Sequence, residues 1–78
     1  MKITASRRVP PDPERMNDSR AAWAATALEM FMEETGAEEC DALADLLTDL
    51  RHWCDRHGVD YAEQDARAEF HYEAETAR

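Results

Sequence analysis

Seventy-eight residues suffice for one small domain, and a chain this short buries only about 60% of the surface its unfolded form exposes, so its own core is thin. Hydrophobic residues make up 44% of the chain and charged residues 35%, with only two glycines, a profile that separates it from disordered chains and points to helix. The net charge of -9 argues against direct binding to nucleic acid or to an anionic membrane surface.

Residues Met1 to Arg8 are positively charged but lack the apolar run of a signal peptide, and no later stretch reaches the length of a membrane span, so a cytoplasmic protein is expected. Pro10, Pro11 and Pro13 make residues 1–16 an extended or mobile arm, from which only Ile3 and Val9 offer side chains for docking. A single helical domain over 17–78 follows. Its first helix is predicted near 18–35, capped by Asn17, Asp18 or Ser19 and ended by Gly36 in the left-handed position. Winding at 100° per residue gathers Trp23, Ala24, Ala27, Leu28, Met30 and Phe31 on one arc, opposite Thr26, Glu29 and Glu33.

A second helix is predicted near 38–57, ended by Gly58. Leu43, Leu47, Leu50 and Cys54 recur at i, i+4, i+7 and i+11, and Leu46, Trp53 and His57 widen that stripe until it can touch two neighbours. Asp60 caps a third helix over about 60–76, with Glu63 in the reciprocal position of a capping box. That helix has two thin stripes, Ala62, Ala66, Phe70 and Ala74 on one side and Tyr61, Ala68 and Tyr72 on the other. The short connections predict an all-α fold, a small three-helix bundle or an antiparallel hairpin plus a third helix. Trp23, Phe31, Leu46, Trp53 and Phe70 are many large groups for three helices, which also admits a homodimer sharing the second helix.

No catalytic constellation is legible, and neither cofactor nor metal is expected. Cys40 and Cys54 stand fourteen residues apart on one helix, about 21 Å, against the 7 Å limit for bridged Cα atoms. His52 and Cys54 point to opposite faces; Cys54 and His57, at i and i+3, are two ligands, too few for a structural zinc site. Ser6 and Ser19 have no base beside them, and His71 between Phe70 and Tyr72 reads as a surface residue. Asp41, Asp45 and Asp49 form an acidic ladder of the type that holds magnesium in the all-helical nucleotide pyrophosphohydrolases. The paired Glu-Glu-x-x-Glu and Glu-x-x-Asp helices of that family are absent, because Glu33-Glu34 runs into Thr35-Gly36 and Glu38-Glu39-Cys40-Asp41 has another spacing.

The charge is unevenly spread. Residues 21–50 carry eight acidic side chains (Glu29, Glu33, Glu34, Glu38, Glu39, Asp41, Asp45, Asp49) and no Lys or Arg. Glu38, Glu39 and Asp41 suit the start of the second helix, whereas Glu29, Glu33 and Glu34 crowd the end of the first, where the helix dipole opposes them. An antiparallel hairpin brings Glu33, Glu34, Glu38 and Glu39 together around Gly36 as a negative knob, for the arm with Arg7, Arg8 and Arg15 or for a basic partner. The predicted partner-binding residues are therefore Glu33, Glu34, Glu38, Glu39, Asp41 and Asp45. The reading is a non-enzymatic regulator or adaptor acting through protein–protein contact; the tyrosine side of the third helix is a second surface for it. The alternative is an inhibitor that mimics nucleic acid and fills the basic groove of a DNA- or RNA-binding protein, of the anti-restriction or anti-CRISPR type.

The stretch from Asp41 through Ala-Leu-Ala-Asp-Leu-Leu-Thr-Asp-Leu-Arg-His-Trp-Cys-Asp-Arg-His to Gly58 resembles small uncharacterised helical proteins encoded on bacterial prophages and integrative elements. The resemblance implies a bacterial mobile-element setting and no particular activity. One measurement checks the continuous second helix directly: non-reducing electrophoresis of the monomer band should show no Cys40–Cys54 disulfide, and its presence would require that helix to be broken.

Overall fold

Each predicted helix forms, with ends displaced by no more than one residue. In the computed structural model, which describes residues 9–78, the elements are α1 (Asn17–Thr35), α2 (Glu39–His57) and α3 (Tyr61–Thr76), with no strand among the described residues. The expectations for residues 1–8, including the docking of Ile3, lie outside the described residues. Both glycines end their helices in the left-handed conformation, Gly36 at φ 74° and Gly58 at φ 66°, where a Cβ is disfavoured by roughly 1–2 kcal/mol. The Gly36 amide donates to the Met32 carbonyl at 2.8 Å, and the Val59 amide to that of Cys54 at 3.0 Å.

The start of α1 departs from expectation. Asn17, Asp18 and Ser19 do not cap it. Instead the chain turns through Pro13–Arg15, with Arg15 at φ 58°, and brings the Asp12 carboxylate under the helix, where it accepts from the amides of Met16 (3.1 Å) and Asn17 (3.2 Å). A carboxylate beside free amides at the positive end of the dipole does the work assigned to a cap. The described part of the arm is thus a turn. At α3 Asp60 caps as predicted, accepting from the Glu63 amide at 3.2 Å, but the reciprocal bond of a capping box, from the Asp60 amide to the Glu63 side chain, is not made.

Packing is centred on α2. Toward α1 it offers Ala42, 1% exposed, which lines one cleft with half-buried Leu28 and Met32; half-buried Phe31 lines another with Asp45, Thr48 and Asp49. Toward α3 it offers Cys54, 6% exposed, while the Arg51 guanidinium lies 4.3 Å above the Tyr61 ring. The third edge, α1 against α3, is polar: the Asn17 side-chain amide donates to the Glu75 carbonyl at 2.9 Å, and Arg20 reaches the Asn17 side-chain oxygen (2.6 Å), Glu14 (3.0 Å) and Glu75 (3.4 Å). With Asp12 as cap, Asn17 is free to close this edge.

Two expected faces are only partly used. On α1, Trp23, Ala24, Ala27 and Met30 stay exposed, and Met32 packs in their place. On α3 the stripe nearer the fold carries half-buried Tyr61 together with Tyr72, which lines a cleft with α1 yet stays 57% exposed, while Phe70, 71% exposed, faces solvent. The result is a flattened molecule of 37 × 32 × 17 Å with a radius of gyration of 14.3 Å, against about 11 Å for a compact chain of this length. Replacing Asp12 by Ala should lower stability by about 1 kcal/mol, as should Asp60→Ala, whereas Ser19→Ala should change it little; urea denaturation read by circular dichroism measures all three.

Candidate functional site

The turn between α1 and α2 collects most of the acidic block. Glu33 and Glu34 occupy the last turn of α1, Glu38 is the extended residue before α2, and Glu39 and Asp41 sit in its first turn. Thr35 fixes the turn internally: its hydroxyl donates to the Phe31 carbonyl at 2.8 Å and accepts from the Ala37 amide at 3.2 Å. Asp45 and Asp49 continue one and two turns along α2 and, with Phe31, Thr35 and Thr48, line a groove of about 250 Å³ beside the turn. All six residues predicted to bind a partner are exposed, and the helical hairpin brings their segments to one end of the molecule.

Electrostatically this end stands alone. Both ion pairs among the described residues are made by Arg20, to Glu14 and Glu75, and none joins a described cation to any of the eight carboxylates of residues 21–50. Arg15 does not supply one. It precedes α1, a helix of 19 residues and hence about 28 Å long, and so lies at the far end from the acidic turn; Arg7 and Arg8 are outside the described residues.

The carboxylates of Glu38 and Asp41 and the Cys40 thiol have ligand atoms within 4.8 Å of one another, all exposed. Two hard oxygen donors and one soft sulfur on a single solvated turn, with no buried group to orient them, match no particular ion. Cys54 and His57 belong to no group of three donors among the described residues: Cys54 is buried, and His57 stacks on Trp53 at 4.1 Å while its Nδ1 donates to the Trp53 carbonyl at 2.9 Å.

A second concavity, about 380 Å³, lies between Val9, Pro10, the start of α1 and the end of α3. Of its polar groups, Asp12, Asn17, Arg20 and Glu75 serve the cap and the α1–α3 edge and Thr76 donates back to the Tyr72 carbonyl, which leaves Asp18 on a wall otherwise lined by Val9, Pro10, Ala21 and Tyr72. Sequence reasoning did not find this cluster, since a contact over 58 residues leaves no local spacing to read.

No protein-family model, no curated protein and no solved structure matches the chain. The acidic turn therefore rests on its own chemistry. Glu33→Gln with Glu34→Gln, which removes two negative charges from the negative end of the α1 dipole, should raise stability by roughly 0.3–1 kcal/mol per site at low ionic strength. Thermal melts at low and high salt check this, the gain shrinking as salt screens the charges.

Proposed function

We propose that this is a non-enzymatic regulator or adaptor of the cytoplasm that works by protein–protein contact, its acidic turn engaging a basic surface on a protein partner. The observation that carries the reading is the uncompensated charge: eight carboxylates between Glu29 and Asp49, exposed and in no ion pair among the described residues. Glu33 and Glu34 cost α1 stability where they stand, so the fold alone gives no reason for them. No helix among the described residues is long and apolar enough to cross a membrane, in keeping with a partner met in solution. Self-association would use another surface, the apolar stripe of α2, and would leave Glu33, Glu34, Glu38, Asp41 and Asp45 free.

A second reading has one observation in its favour. Asp41, Asp45 and Asp49 run along one exposed line of α2 at about 6 Å intervals, a row of negative charge of the kind a nucleic-acid mimic presents to a basic groove. The resemblance of the Asp41–Gly58 stretch to mobile-element proteins supports an inhibitor of that class.

A tagged chain used as bait in bacterial lysate, with and without nuclease and eluted by rising salt, tests both readings. The partner should survive nuclease, leave at moderate salt, and be lost to Glu33→Gln/Glu34→Gln/Glu38→Gln/Asp41→Asn at unchanged helix content. A partner that instead depends on Asp45 and Asp49 and normally binds DNA or RNA marks the mimic. Retention of the partner by the quadruple variant would remove the acidic turn from the interface.

A further inference from the structure

We infer that α2 is an antiparallel self-association seam, and that the occupant of its open face is α2 of a second copy of this chain. Ala42 and Cys54, on the two shoulders of the helix, are buried by α1 and α3, while the strip between them is open: Leu43 is 52% exposed, Leu50 42% and Trp53 51%. Along that strip Glu39, Leu43, Leu46, Leu50, Trp53 and His57 follow one another at intervals of 4, 3, 4, 3 and 4 residues. This is the a/d pattern of a coiled-coil seam, in which each apolar side chain enters a space on a facing helix. Nothing among the described residues supplies that facing helix, since α1 and α3 occupy the shoulders.

The seam is complementary to itself in one direction. Laid antiparallel about the middle of α2, it sets Leu43 against the partner's Trp53, Leu46 against the partner's Leu50, and Glu39 against the partner's His57. Glu39 and His57 are 18 residues apart, five full turns, so they lie on one line at opposite ends of the strip. Antiparallel pairing sets the Glu39 of each copy beside the His57 of the other and opposes the two helix dipoles; parallel pairing sets like against like.

α2 leaves four large apolar side chains exposed, Leu43, Leu47, Leu50 and Trp53, more than either other helix, and a second copy seated on the strip would cover them. The other exposed apolar groups, Trp23 and Met30 on α1 and Phe70 on α3, have no such self-matching order.

Sedimentation equilibrium of the full chain at micromolar concentration should give 17.8 kDa, twice 8.9 kDa. Leu50→Glu should weaken association by about two orders of magnitude, because each dimer carries the substitution twice at its centre. Orientation is read by mixing a Glu39→Cys chain with a His57→Cys chain, both in a Cys40→Ser/Cys54→Ala background. Oxidation should give the mixed disulfide and no Glu39→Cys homodimer, whose sulfurs would stand about 27 Å apart. A monomer for the unsubstituted chain, a dimer indifferent to Leu50→Glu, or disulfides between like chains would each overturn the seam.

Discussion

The structure depends on a division of labour around a single helix. α2 carries four of the five leucines, but what it buries on its shoulders is small, Ala42 and Cys54, which let α1 and α3 approach closely. Small residues at both shoulders are what make a three-helix arrangement possible here, because a leucine in either place would hold the neighbour away. The same choice leaves the leucines and Trp53 in the middle of α2 uncovered.

Charge divides in the same way as packing. The basic side chains among the described residues lie before Ala21 and from Arg51 onward, mixed there with acids, whereas residues 21–50 carry acids alone. Helix dipoles account for the acids that begin α2 but not for those that end α1. Conflict between a local preference and a side chain that persists regardless is what separates Glu33 and Glu34 from ordinary solubilising charge.

The helices were legible because their punctuation is chemical and local. Gly36 and Gly58 take the left-handed conformation their positions require, and Asp60 caps α3 as its place before an amphipathic run predicts. The cap of α1 was missed, since three plausible capping residues stand at the boundary and the one that acts, Asp12, reaches it only through a turn with Arg15 in an uncommon conformation. Faces were harder to read than helices. α3 has two stripes of similar strength, and α1 has more apolar positions than one neighbour can cover, so Met32 and Tyr61 packed while Met30 and Phe70 did not. As for the candidate site, the acidic turn followed from the hairpin alone, but the isolation of its charge depended on where Arg15 and Arg20 lie, and that is a matter of three dimensions.

The polar edge that joins the first helix to the last has a bearing on how the chain reaches its shape. Contacts of α1 with α2 and of α2 with α3 join neighbours in sequence, so each hairpin can form as a local event. The bonds from Asn17 and Arg20 to Glu75 close a loop of 58 residues, at an entropic cost met only once both hairpins stand. Formation therefore runs from the two turns outward and ends at this edge. Opening runs the other way: α3 is the element that can swing from the rest while α1 and α2 stay paired, because what tethers its far end is a handful of part-exposed polar bonds and no buried side chain.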